Sequence, residues 1–509
     1  MLAKIQSLGL HGIDGLLVTA ECDVSGGLPS FELVGLPDAA VKEARERVRS
    51  AVKNSGFEFP LARITVNLAP ADIKKEGPVY DLPIAVGLLA ATGQLKSELL
   101  ENAVLIGELS LSGDIKGVRG VTPMLISARA AGKTVFFISP ENSLEAGFIE
   151  GITVYTPQNL QQLVRFLKGE LTLEAVEHIA WDALRRRKKP QADFQFIKGQ
   201  KAAKRAAEIA AAGGHNMLLI GPPGSGKTML ARAMPSILPE MTFEEALEAT
   251  KIHSVSGTLE GGILCTRPFR CPHHTASIAA LTGGGAKAKP GEVSLAHNGV
   301  LFLDELPEYN RNALEALRQP LEDGIITVSR VFGSMAYPAS FMLVASMNPC
   351  PCGNYGSKTK KCTCTPAAIQ KYLARISGPL LDRIDLQIEV DAVTYGDMTD
   401  ASLSESSEAI KERVQRAREI QTHRFAGTAF FCNAQMDAEA IKKYCALDAA
   451  SEALLKQAFA SLNMSARGYH RILKVARTIA DLEQNEAIGP AHVAQAIGYR
   501  NLDRKYWSH

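Results

Sequence analysis

The sequence predicts two α/β segments followed by an all-helical one. Three observations carry that prediction. Short apolar stretches alternate with helical periodicity through the first two segments. The middle segment opens on a strand that runs into a glycine-rich loop at residues 217–228, and holds a wholly apolar strand ending in two carboxylates at 304 and 305. From Glu408 onward the spacing is helical throughout. The boundaries fall at residues 1–184, 194–396 and 397–509, with a basic linker at 185–193.

At roughly 150 residues per domain, 509 residues allow about three domains. A hydrophobic content of 46% with 22% charged residues excludes wholesale disorder. The net charge is +2, so any basic surface must be local rather than global. No apolar signal core precedes a small-residue cleavage site at the N-terminus. The longest apolar stretch, residues 82–95, is too short to span a bilayer and contains Thr92 and Gln94. No membrane partner and a cytoplasmic location are therefore expected. The cysteine count of nine is odd, and four of them crowd into residues 350–364. That pattern argues against a secreted disulfide framework and toward a local metal site in a reducing compartment.

In the first segment, strands are expected at residues 16–18, 31–34, 64–68, 104–111 and 135–138. Helices are expected at 38–54, 81–91 and 122–131, with Gly56 and Gly132 as stop signals. The run Arg185-Arg186-Arg187-Lys188-Lys189, closed by Pro190, reads as a solvated linker or a DNA contact. After a polar stretch at 399–407, helices are expected at 408–425, 437–445, 449–462, 466–482 and 490–499. Pro490 suits a first helical turn, where its missing N–H does no harm.

The middle segment carries the chemistry. Met217–Ile220 leads directly into Gly221-Pro222-Pro223-Gly224-Ser225-Gly226-Lys227-Thr228, a GxxxxGK[ST] loop between a strand and an amphipathic helix. Its glycines let backbone N–H groups close around phosphates, and the helix N-terminus favours negative charge. Lys227 would reach the β- and γ-phosphates of ATP, and the Thr228 hydroxyl would bind Mg²⁺. The second apolar strand delivers Asp304 to hold Mg²⁺ and Glu305 to polarise the attacking water. A further strand at 341–346 leads to Asn348, placed to sense the γ-phosphate or orient water. Arg383, in SGPLLDRID, could stabilise charge on a transferring phosphoryl group, and Arg467, in SARGYHR, opens a lid helix.

Two further clusters stand out. Cys350, Cys352, Cys362 and Cys364 form two C-x-C pairs, a candidate tetrahedral Zn²⁺ site or a loop of reduced thiols. Lys358, Lys360 and Lys361 in that loop are either phosphate contacts or solvated. The segment Cys265-Thr266-Arg267-Pro268-Phe269-Arg270-Cys271-Pro272-His273-His274 allows three readings: a metal site, arginine forks gripping a nucleic-acid strand beside Phe269, or a structural loop. His215 is expected to pack or hydrogen-bond, and Cys22, Cys432 and Cys445 to be small core residues.

Read together, AAAGGHNMLLIGPPGSGKT, RPFRCPHHTAS, GEVSLAHNGVLFLDELPEY, LRQPLED, NPCPCG and RISGPLLDRIDL resemble the YifB/ComM family of magnesium-chelatase-like AAA+ ATPases. The first segment matches too, through FELVGLPDAAVKEARERV, RITVNLAPADIKKEGPVYDLPIA and GELSLSGDIKGVRG. The resemblance implies an AAA+ P-loop core with a parallel sheet, a helical C-terminal lid, and a hexameric ring with ATP bound between subunits. It also implies an insertion near 254–290 and a channel-facing hairpin near 326–337 with Arg330 at its start. Arg383 then matches a trans-acting arginine finger, Arg467 a second sensor, and Lys198-Gly199-Gln200 the segment beside the adenine. The implied activity is ATP-driven translocation on single-stranded or branched DNA, as a branch-migration helicase in homologous recombination and natural transformation. The alternative is a chelatase-type motor that remodels a protein partner. By the same resemblance the first segment is similar to the Lon-protease domain of the ribosomal S5 domain-2 type. Here Val79 follows Gly77-Pro78, and Thr122 follows Gly120-Val121, so the serine and lysine of a protease are both missing.

Overall fold

The computed structural model describes every residue except 186–191, 286–288, 331–332, 358–359, 393–395, 397–403, 462–463 and 508–509; residues 185, 329, 330, 333, 503 and 504 are described by backbone alone. Most of the basic run, Lys358, the Arg330 side chain and part of the polar stretch at 399–407 lie outside the described residues. The chain divides into two compact units, Met1–Arg187 with Ala246–Cys265, and Lys188–Glu245 with Thr266–His509. Among the described residues no helix is long and apolar enough to cross a membrane.

The first unit is built on strands β1 (Leu2–His11), β2 (Asp14–Ser25), β3 (Ser30–Val34), β4 (Arg63–Ala69), β5 (Ala103–Leu105), β8 (Val135–Phe137) and β9 (Thr153–Tyr155), with a small hairpin of β6 (Glu108–Leu109) and β7 (Ile115–Lys116). The sheet order is β3-β4-β2-β1-β5-β8-β9. β2 runs antiparallel to both β1 and β4, and the other pairs are parallel. The strand expected at 104–111 is broken at Gly107, where a Cβ would meet Ile115 at 2.8 Å. The helix Asp81–Ala91 is buried on nearly every side and packs on β1 and β2. It tolerates Gly87 in its interior because any Cβ there would press on the Cys22 sulfur at 2.6 Å. Its first residue, Asp81, is fully buried and takes two bonds from Arg47, at 2.6 and 3.0 Å. Ala246–Cys265 joins this unit through Ser254, whose carbonyl accepts from Gly120 N–H (3.1 Å) and whose hydroxyl donates to Glu145.

In the second unit, β10 (Met217–Ile220), β11 (Phe269–Arg270), β12 (Val300–Leu303), β15 (Met342–Met347) and β16 (Leu386–Glu389) form a wholly parallel sheet in the order β11-β12-β15-β10-β16. β10, β12 and β15 are buried at every position, as central strands of a parallel sheet must be. β11 falls inside the stretch expected as an insertion; Phe269 stacks on Phe302 at 6.0 Å, and that apolar contact draws it into the sheet. A separate antiparallel hairpin, β13 (Ile325–Arg330) with β14 (Gly333–Pro338), occupies the position expected for one.

The helices Ser407–Arg424, Ala438–Tyr444, Ala449–Ser461, Ala466–Leu482 and Pro490–Gly498 follow the expected series, with a further helix, Asn501–Trp507, after them. Lys201–Gly213 packs against Ser407–Arg424 and Ala466–Leu482. Its run of alanines, fully buried at 206, 207 and 210–212, permits close approach. Its last carbonyls, which a helix end leaves without internal partners, accept from Arg418 and Gln421 at 3.1–3.2 Å.

The N-terminal end of β10 is a polar hub. Asn216 donates to the Arg383 carbonyl (2.9 Å), accepts from Leu343 N–H (2.8 Å), and its own N–H donates to Asp385 (3.0 Å). Asp385 pairs with Arg471 of the helix Ala466–Leu482, and His215 lies 3.4 Å from it while sharing a 2.8 Å bond with Thr478. Burial alone would raise the Asp385 carboxyl; Arg471, His215 and Lys474 outweigh it and hold it well below the usual carboxylate range. A depressed folded value contributes stability that is complete above the ordinary 3.8 and lost as pH falls through the folded value. Asp385→Asn should therefore cost about 3 kcal/mol in chemical unfolding, because it strands Arg471 in a mostly buried site. That deficit should still be whole at about pH 5; equal unfolding midpoints would remove Asp385 as an anchor.

Candidate nucleotide site

The carboxyl ends of β10, β12 and β15 bring the expected groups together. Gly221 leaves β10 where a Cβ would meet the Val390 carbonyl oxygen at 2.2 Å. Gly224 and Gly226 then take left-handed conformations, with φ of +76° and +89°, and open space stands where their side chains would be. The Lys227 side chain folds back into this loop. Its ammonium donates to Gly221 O (2.7 Å), Pro222 O (2.8 Å) and Asn348 Oδ1 (3.3 Å), using all three protons on uncharged oxygens. Burial pulls it down to about 8, with Asp304 and Glu305 acting in the opposite direction.

Thr228 Oγ1 donates to Asp304 Oδ2 at 3.0 Å, and the other Asp304 oxygen accepts from Ser346 and from Glu305 N–H. Ser346 and Asn348 sit two residues apart along the line of β15. The period of two puts them on one face, a signal that sequence reading passed over. Glu305 is exposed and left-handed, with φ +53°, a conformation uncommon for a non-glycine residue. His274 Nδ1 lies 3.6 Å from its carboxylate. On the far rim, Gly199 and Gln200 are both left-handed, and the Gln200 amide donates to Asp391 O (2.6 Å) and Ser225 O (3.3 Å).

These residues fit a nucleotide with its metal. Among the described residues, the buried Lys227 ammonium has no carboxylate within hydrogen-bond reach and the buried Ser225 hydroxyl has no partner, and the loop has no Cβ at two of its turns. A hydroxyl and a carboxylate side by side supply the hard oxygen donors that Mg²⁺ prefers.

Arg383 and Arg467 meet elsewhere. Arg383 is only 7% exposed; it donates to Pro379 O at 2.7 Å and pairs with Glu322. Arg467 is exposed and stands 3.8 Å from the same carboxylate. The Arg383 hydrogen bond, helped by Arg467 and Arg318, holds Glu322 below its ordinary value despite some desolvation. Arg383 and Glu322 border an open recess of about 660 Å³ that also takes in Arg318 and Thr282. Nothing local in the sequence marks Glu322 as a partner, because it lies 61 residues from Arg383.

The four cysteines converge. Their sulfurs all lie within 4.8 Å, with Cys350–Cys352, Cys352–Cys362 and Cys350–Cys362 separations of 3.4, 3.6 and 3.7 Å. A zinc tetrahedron with Zn–S bonds of about 2.3 Å has edges of about 3.8 Å, so the donors fit. Backbone N–H groups of Tyr355 and Cys364 point at Cys350 and Cys362 sulfurs, at 3.3 and 3.4 Å. The segment around His273 does not gather in this way. Among the described residues its cysteines and histidines form no metal-sized group. Arg270 is held by Glu292 (2.6 and 2.8 Å) and Arg267 by Glu245 (2.8 Å), leaving a structural loop as the reading the geometry supports. His215 hydrogen-bonds, and Cys22, Cys432 and Cys445 are buried, as expected.

Comparison with known proteins agrees along the whole chain. The family models for magnesium chelatase, subunit ChlI, match residues 193–398, those for subunit ChlI of Mg-chelatase residues 20–142, and those for the ChlI C-terminal region residues 404–500. Competence protein ComM of Haemophilus influenzae is 46% identical over 99% of this chain and 98% of its own length. The chain belongs to the YifB/ComM family of magnesium-chelatase-like AAA+ ATPases. YifB of Escherichia coli, 45% identical, is covered to the same extent. The magnesium-chelatase 67 kDa subunit of Chlorobaculum parvum is 32% identical, but over 31% of this chain and 23% of its own. Membership in this ATPase family gives ATP and Mg²⁺ as the ligands to test against the pocket. Asn348→Asp would set a carboxylate against the Lys227 ammonium and against incoming phosphate. ATP affinity should fall at least about tenfold in a fluorescent-nucleotide titration, equivalent to about 1.4 kcal/mol; unchanged affinity would remove Asn348 from the phosphate pocket.

Proposed function

We propose that this chain is the repeating subunit of a hexameric ring that couples ATP hydrolysis to movement along single-stranded or branched DNA. In this reading it is a cytoplasmic branch-migration helicase serving homologous recombination and the integration of transforming DNA. The observation that carries the reading is full-length similarity to a competence protein, joined to the gathering of Lys227, Thr228, Asp304 and Asn348 around one loop. The match to the Chlorobaculum parvum magnesium-chelatase subunit covers less than a third of this chain and supports the chelatase-type alternative only weakly.

Within that reading, the Gly221–Thr228 loop residues Pro222, Pro223, Gly224, Ser225 and Gly226 wrap the phosphates, and Lys227 neutralises them. Thr228 and Asp304 would hold Mg²⁺, which would supply charge neutralisation on the phosphate oxygens. Glu305 takes the proton of the attacking water, and Asn348 senses the γ-phosphate. Gly199 and Gln200 border the adenine. Arg383 leaves Glu322 to reach the phosphate held by a neighbouring subunit, and Arg467 reports that event to the helical lid. Residues 1–184 are a Lon-like module without protease chemistry, 185–193 a basic linker, 194–396 the motor core and 397–509 the lid. Cys350, Cys352, Cys362 and Cys364 hold a structural Zn²⁺.

Steady-state ATP hydrolysis with and without single-stranded and forked DNA, at two salt concentrations, tests the reading. DNA should stimulate turnover several-fold, and the effect should weaken with salt as phosphate contacts are screened. Turnover indifferent to every DNA would shift the assignment to a protein-remodelling motor. Lys227→Ala should abolish turnover, and Glu305→Gln should slow it at least about a hundredfold while ATP stays bound. Arg383→Ala should stop hydrolysis with nucleotide binding intact; ordinary turnover in that variant would refute a site shared between subunits.

A further inference from the structure

The cysteine quartet lies against the nucleotide loop. Asn348, bonded to Lys227 at 3.3 Å, is separated from Cys350 by Pro349 alone. Pro349 restricts the backbone between them, so a fixed Cys350 leaves Asn348 little freedom. On the other side of the quartet, Gly353 is left-handed, with φ +78°, and approaches Pro223 so closely that a Cβ would meet its ring at 2.5 Å. The turn is closed by Gly353 N–H donating to Cys350 O at 2.9 Å. Its outer side is pinned as well. Tyr355 packs edge-on against Tyr506 at 6.2 Å, and Lys505 and Tyr506 both bond Glu389 at the end of β16.

One short turn thus touches two parts of the phosphate pocket, the Lys227 partner and the Pro223 corner. The turn has no regular secondary structure of its own to hold it. The four sulfurs are its convergence point, and a metal there would close the loop between the two C-x-C pairs.

We infer that the Cys350–Cys364 knot, loaded with zinc, is a positioning device for the nucleotide pocket, so that zinc and nucleotide bind with positive coupling. The inference rests on the zinc assignment above. Coupling between two sites is reciprocal: if zinc tightens nucleotide binding, nucleotide must tighten zinc by the same factor.

The experiment uses the full chain with a fluorescent ATP analogue and a chromogenic zinc chelator. Metal content is read first. One zinc per chain is expected. A chain that carries none and takes none up from added zinc would overturn the metal assignment and the inference with it. With zinc present, stripping it should weaken analogue binding at least fivefold, and saturating analogue should lower zinc transfer to the chelator by a matching factor. Zinc that comes and goes with no change in analogue affinity would overturn the coupling while leaving the metal site standing. Because Cys362→Ser disturbs fold and site together, Gly353→Ala is the sharper variant. It keeps all four thiols, so zinc should be retained, while the clash with Pro223 should raise the KM for ATP several-fold with a smaller effect on kcat. Unchanged KM at full zinc content would also overturn the inference.

Discussion

A buried carboxylate, Asp385, ties the sheet of the second unit to its helical part. Asp385 reads the start of β10 through Asn216 and His215, and grips the helix Ala466–Leu482 through Arg471. Arg471 lies one turn after Arg467, and Asp385 lies two residues after Arg383. Both arginines proposed to sense phosphate, Arg383 and Arg467, therefore sit close along the chain to the same ion pair, at the end of the sheet opposite the glycine loop. A charge inside a protein is tolerable only when paired and hydrogen-bonded, and Asp385 has both kinds of support. Its constraint is geometric as much as energetic. It fixes the register of a helix against a sheet edge without a covalent link.

Electrostatic pairing recurs at Glu322, where two guanidinium groups of the isolated chain share one carboxylate. The difference between the two sites lies in exposure. Asp385 is buried, whereas the Glu322 side chain is half exposed, at 52%. Pairs open to water are weak and exchangeable, whereas buried ones are not. The Asp385 pairing is thus built to last, whereas solvent or a competing anion can replace the pairing at Glu322.

Periodic elements were legible in the sequence and long-range pairings were not. The helix Ala466–Leu482 shows a 3.6-residue apolar stripe, and the glycine loop announces itself by its spacing. β1 escaped notice because Lys4, Gln6, Ser7 and Gly9 interrupt its apolar residues; ten paired positions with β2 make it a strand. In the sequence β2 reads as three residues but it spans twelve, because Glu21 and Asp23 look like loop residues until β4 and β1 flank them. Asp304, Glu305 and Asn348 could be found because strand ends in a parallel sheet converge. Asp385 and Glu322 could not, since their arginines lie 86 and 61 residues away. The cysteine spacing suggested a metal site, but only the fold brings Gly353 against Pro223.

Lys227 pays for its burial in protonation. Held near 8, it is only partly charged in mildly alkaline solution. Phosphate oxygens placed beside it would raise that value again, so nucleotide binding in mildly alkaline solution should draw a fraction of a proton from the buffer. The heat of binding then contains the ionisation heat of whatever buffer supplies that proton. Affinity declines as alkalinity rises, with no change in the shape of the pocket. A lysine placed to bind phosphate would thereby make the nucleotide pocket a weak sensor of hydroxide.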